Sequence, residues 1–132
     1  MIEDVDLDDI EDAILKTNLA IKKKPDIIEL RQLRRNLEGM KIALTQSTKL
    51  RDDFDRGNII TEQYWVQDKK LKTDFERCRN EALVFDIIQK LPEEEKSRLT
   101  KMKEAVVSNK DFLFLVVQVA QTIISVASGL RK

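Results

Sequence analysis

Residues 26–54 read DIIELRQLRRNLEGMKIALTQSTKLRDDF, and the fold turns on this stretch. Its apolar side chains fall at Ile27, Leu30, Leu33, Leu37, Met40, Leu44, Leu50 and Phe54, with Ser47 in the same series. The steps alternate 3 and 4, with one slip near Leu50. That is close to a heptad repeat and predicts one long helix with a single buried seam. Asp26 is placed as its N-cap, with Glu29 three residues on, as in a capping box just after Pro25. Gly39 lies inside and costs roughly 1 kcal/mol against Ala. It marks either a close approach of another helix or an exposed blemish.

Downstream, Arg56-Gly57-Asn58-Ile59-Ile60-Thr61-Glu62 is a stop and a restart. Gly57 can take a positive φ just past a helix end, and Thr61 is a good N-cap. A connection this short folds two helices back antiparallel. The next helix is expected over residues 62–90, with its seam at Tyr64, Leu71, Phe75, Cys78, Ala82, Phe85 and Ile88. Asp68–Lys72 and Asp86–Lys90 stand in the favoured order for i,i+4 pairs. Residues 26–56 and 62–90 together predict a long antiparallel coiled-coil hairpin.

Three further helices are expected. The first runs from Leu7 to Lys24, with Leu7, Ile10, Ala13, Ile14 and Ile21 inward and Leu15 and Leu19 flanking. Pro92 opens another, which runs to about Val107 with Leu99, Met102, Ala105 and Val106 inward. Ser108-Asn109 breaks it, with Asp111 capping the last helix, or the chain continues helical through a kink. That last helix, Phe112–Leu130, is FLFLVVQVAQTIISVASGL, with no charge anywhere in it. Its polar residues form one narrow stripe, and the rest of its circumference is apolar. The fold class is therefore all-α: a single helical domain, 1–132, built on the hairpin with the other helices packed along it.

Composition removes several functions. The chain has 132 residues, 24 Lys+Arg, 24 Asp+Glu, one Cys and no His. Histidine base catalysis, Ser-His-Asp triads and His-ligated metals are excluded, as are an intrachain disulfide and a Cys-based zinc site. Three Gly do not build a phosphate cradle. Glu93-Glu94-Glu95 reads as a solvated helix N-terminus, because consecutive helical residues point apart. Cys78 sits on the seam as a structural thiol. No nucleophile–base pair emerges, so neither an enzyme nor a bound cofactor or metal is expected.

Charge is balanced overall but unevenly laid out. Residues 1–15 carry seven acids and no base, and residues 16–24 carry four lysines and no acid. That order complements the dipole of the first helix, and it also fits an acidic docking segment. Lys22–Lys24 with Arg34-Arg35 form a basic patch if the first helix folds along the second. Every basic cluster has an acidic neighbour, which argues against direct nucleic-acid binding. The acidic opening is not a signal peptide, and with a lone Cys the expected setting is cytoplasmic.

Leu50–Leu71, LRDDFDRGNIITEQYWVQDKKL, resembles the short helical-hairpin pattern of many prokaryotic oligomerising tails. In that pattern a Gly is followed by Ile, Ser/Thr and acids, then an aromatic and a Lys. The resemblance spans 22 of 132 residues, and Asn58 intrudes on it. It implies a helical hairpin and no particular function.

The functional expectation rests on the last helix. Its apolar arc far exceeds the ~100° that a surface helix needs. It is accounted for as the centre of the bundle, as a subunit contact, or by membrane insertion, since its length is at the threshold for a span. The reading is a non-catalytic assembly or interaction protein, a homo-oligomer through apolar helix faces. Phe112, Leu115, Val116, Val119 and Ile123 are the expected contact residues. Trp65 joins them, because Tyr64 and Trp65 cannot both point inward from one helix. It either covers a neighbouring helix or anchors a partner. The alternatives are a membrane-active or membrane-anchored protein using residues 112–130, and a nucleic-acid-associated structural protein.

Overall fold

The computed structural model of the chain describes residues 2–129. It is all-helical, and no strand occurs among the described residues. In chain order they form α1 (Leu7–Lys23), α2 (Glu29–Asp55), α3 (Thr61–Cys78), α4 (Glu81–Ile88), α5 (Glu93–Glu104) and α6 (Asn109–Ala127). Leu130 and the two basic residues after it lie outside the described residues.

The α2 helix is the spine. Asp26 does not cap it; the helix starts at Glu29, and Asp26 instead forms a 3.8 Å ion pair with Lys24 inside the turn. Its N-terminal half buries Leu30, Leu33, Leu37 and Met40. Beyond that point the buried face rotates to Ala43, Ser47 and Leu50, which is the slip in the 3-4 rhythm. The rotation has a cause. α2 takes part in the main core as far as Leu44, and beyond that point α3 is its helical partner.

The pairing of α2 with α3 is antiparallel. The rings of Phe54 and Tyr64 stack with centroids 4.3 Å apart near the turn, and Gly39 meets Cys78 at the other end. Gly57 takes φ +76° at the turn, where any Cβ would be strained. Thr61 is the first helical residue and not the cap; extended Ile60 precedes it.

The helix expected over 62–90 is broken, and so is the continuous coiled coil built on it. α3 ends at Cys78, and Asn80 caps α4 by accepting a 3.0 Å hydrogen bond from the Leu83 N–H. The break shifts the helical phase of α4 relative to α3. Val84, Ile87 and Ile88 are buried, while Ala82 and Phe85 leave the seam. Asp68–Lys72 forms as expected at 3.6 Å, but Lys90 does not pair with Asp86. It bonds Glu29 at 2.7 Å, tying the end of α4 to the start of α2.

The break before α6 is also real. α5 stops at Glu104, short of Val107, and Ser108 is the cap of α6. Its hydroxyl accepts from the Asp111 N–H at 3.1 Å, and Asp111 reciprocates by accepting from the Val107 N–H. α6 runs parallel to α1, with its start held by Asn109, whose amide donates to the Glu3 carbonyl. Ile2, ahead of the first helix, is buried there as well.

The large apolar arc of α6 goes into the bundle. Phe112, Leu113, Leu115, Val116, Val119, Ala120 and Ile123 are buried in the same cluster as Ile10, Leu30, Leu37, Val84, Ile87 and Leu99. Leu50, Tyr64 and Leu71 form a second, smaller cluster, with Phe54 and Ile59 against it. Since α3 packs on α2 and on no other helix, this cluster belongs to a two-helix arm projecting from the bundle.

Two outcomes are expected. A Cβ at Gly39 would lie 2.6 Å from Cys78 Sγ. Gly39→Ala should therefore destabilise the fold by up to ~2 kcal/mol, overpacking outweighing the helix-propensity gain. In a Cys78→Ala background the same change should stabilise by ~0.5–1 kcal/mol, read from urea unfolding. The second concerns Glu29, whose carboxyl is held below its ordinary 4.5 chiefly by the Lys90 hydrogen bond. A lowered carboxylate pKa contributes stability above the unfolded value and loses it as pH falls through the folded one. The stability gap between the wild type and Glu29→Gln should be open at neutral pH and close as pH is taken below 4.5.

Candidate interaction surface

The six residues expected at a subunit contact separate into two groups. Phe112, Val116 and Val119 are wholly inaccessible, and Leu115 and Ile123 are 1% exposed. All five hold the chain's own core together. Trp65 is 63% exposed.

Chemistry explains the division. Eight of the nineteen residues of α6 are buried, covering about half its circumference. The polar stripe of the helix faces outward through Gln121 and the half-buried Gln118 and Ser125. Thr122 is the exception. It is buried beside α5, where its hydroxyl accepts a 2.9 Å hydrogen bond from Arg98 and donates to the Gln118 carbonyl. α6 has the length and composition to cross a membrane. The bundle buries one side of that apolar surface, while Phe114 remains 58% exposed on the other.

Trp65 lies on the arm. Tyr64 points into the arm's cluster and Trp65 out of it, their rings edge-on with centroids 5.9 Å apart. Because α3 has no helix on its outer side, Trp65 does not cover α5 or α6, contrary to one expectation. Val66 is 70% exposed beside it, and Ile60 60% at the turn. A second exposed apolar pair was legible only as a flank: Leu15 at 55% and Leu19 at 40%, one turn apart on the outer side of α1. These leucines sit opposite buried Ile10, Ala13, Thr17 and Ala20, so nothing within the chain claims them.

Among the described residues, no cluster of three or more Cys, Asp or Glu could hold a metal ion. Burial pushes the Cys78 thiol above its ordinary value, opposed by Arg77, so it is mostly un-ionised at neutral pH. An open cleft of about 600 Å³ separates the N-terminal segment from the ends of α3 and α6. Its charged lining sets four carboxylates, Glu3, Asp4, Glu76 and Glu81, against Lys72 and Arg79. Arg79 is already engaged there: it donates to Asn109 at 3.0 Å and lies 5.6 Å over the Phe112 ring.

Comparisons with protein-family models, with curated proteins and with solved structures find no match.

The division between core and surface has a direct test. Val116→Asp or Ile123→Asp buries an unpaired charge and should unfold the chain, since such a change rivals the ~5–15 kcal/mol of a whole domain. Trp65→Ala should stay within ~0.5 kcal/mol of wild type. Far-ultraviolet circular dichroism during a urea titration reads both.

Proposed function

We propose that the chain is a non-catalytic helical assembly protein that self-associates through exposed helix faces. The observation that carries this reading is Trp65 with Val66 on an arm that packs on one helix only. Tryptophan is among the residues that most often carry the energy of an interface. Leu15 and Leu19 supply a second unclaimed face. In this reading α2 and α3 pair as a short coiled coil that stiffens the arm, and the contact avoids Phe112, Leu115, Val116, Val119 and Ile123. A cytoplasmic setting suits a lone thiol.

A second reading draws on the composition of α6. A chain that released this helix from the bundle would gain a segment long enough to enter a bilayer. It would lose its core in doing so, which makes the folded assembly protein the preferred proposal.

Absolute mass by light scattering on a sizing column, without detergent, separates the two. A discrete dimer or larger species that shifts toward monomer in Trp65→Ala supports self-association. A monomer at every concentration overturns it, and polydisperse material rescued by detergent favours the membrane reading.

A further inference from the structure

Two exposed stripes on this molecule carry complementary patterns of charge and apolar surface. On the outer side of α3, reading toward its C-terminus, Glu62 comes first, then Trp65 and Val66, then Lys69 and Lys70. The order is acid, apolar, base. On the outer side of α1, reading toward its N-terminus, Lys23 and Lys22 come first, then Leu19 and Leu15, then Asp12, Glu11 and Asp8. The order is base, apolar, acid. All these charged residues are exposed, and none enters an ion pair within 4 Å among the described residues.

Glu62 to Lys70 spans about 12 Å and Lys22 to Asp12 about 15 Å at the helical rise of 1.5 Å per residue, with Asp8 about one turn farther along α1. Laid antiparallel, the stripes bring Glu62 to the α1 lysines, Trp65 and Val66 to Leu19 and Leu15, and Lys69 and Lys70 to the α1 carboxylates. Laid parallel, they bring acid to acid and base to base, so the pairing has one allowed direction.

The two stripes do not meet within one chain. α1 and α3 both run antiparallel to α2, hence parallel to each other, and they make no helix–helix contact. We propose that the outer stripe of α3 on one molecule docks antiparallel onto the outer stripe of α1 on a second copy of this chain. The proposal rests on the self-association reading above and gives it a contact and a direction. The contact is heterologous. Two molecules close it by exchanging arms reciprocally, or each passes it on to the next copy in a ring or filament. A single helix-on-helix stripe lies at the small end of specific interfaces, so the association is weak, and much of its strength is screened by salt.

The test is sedimentation velocity on the full chain from about 1 µM to about 1 mM, in buffers of low and high salt, the range suited to a small interface. The wild type should associate at low salt and shift toward monomer at high salt. Lys69→Glu/Lys70→Glu and Asp8→Lys/Asp12→Lys should each weaken association at least about tenfold while keeping wild-type helicity. An equimolar mixture of the two variants should associate again, because each restores the partner that the other lost. Association of the wild type that ignores both charge reversals overturns this contact and leaves self-association standing. A wild type that is monomeric throughout overturns both. Failure of the mixture to recover, with both variants folded, also rejects the contact.

Discussion

The apolar last helix is the constraint that organises everything else. Most of the circumference of α6 is apolar, and about half of it is buried. Burying one leucine- or phenylalanine-sized side chain contributes ~1.5–3 kcal/mol, so no arrangement that leaves this helix uncovered competes. Three neighbours share the task. α1 runs parallel along one flank, and α4 and α5 close from the other side. The short lengths of α4 and α5 follow from that role, since each need only cover part of the α6 surface. Thr122, the buried polar side chain of α6, is satisfied twice: it donates to the Gln118 carbonyl of its own helix and accepts from Arg98.

The second half of α2 is thereby left outside the bundle. It contributes to the main core only as far as Met40, Ala43 and Leu44 and then continues for about three further turns with α3 as its sole helical companion. A two-helix element has little interior. Here it consists of Leu50, Tyr64 and Leu71, with Phe54 and Ile59 alongside. One face of each arm helix goes to its partner and the other goes to solvent, so the residues on the outer face are free of packing duties. Trp65 lies on that outer face of the arm, 63% exposed.

Much of the fold was legible because its signals are local. The 3-4 spacing of Leu30, Leu33, Leu37 and Met40, the turn at Gly57 and the breaks around Pro92 and Ser108 are all written within a few residues. The helix interruption after Cys78 was missed, although Asn80 followed by Glu81 is a cap signature. The apolar period runs across it without a gap, and period outweighed cap in the reading. The Lys90–Glu29 bond could not be read, because its partners lie 61 residues apart and meet only after the chain has passed through α2, α3 and α4. The candidate surface was half legible. Trp65 announced itself by adjacency to Tyr64, whereas the α6 residues read as an interface on hydrophobicity alone. Hydrophobicity does not say whether the covering partner is the same chain. Leu15 and Leu19 were visible as flanking residues, but their isolation depends on which sides of α1 its neighbours occupy.

The separation of the two apolar clusters also has a consequence for motion. Opening α3 as far as Leu71 breaks its pairing with α2 and exposes only the small cluster, whereas Phe75 near its C-terminus belongs to the main core, which opening α6 dismantles. The molecule therefore has two levels of cooperativity. Amide protons along α3 exchange through a cheap, sub-global detachment of the arm, and those at the centre of α6 exchange only through global unfolding. Ordering the outer helix of the arm against anything that binds it would raise the first level toward the second. Occupancy of the arm would then be recorded as slowed exchange in α3, with no displacement of the bundle required.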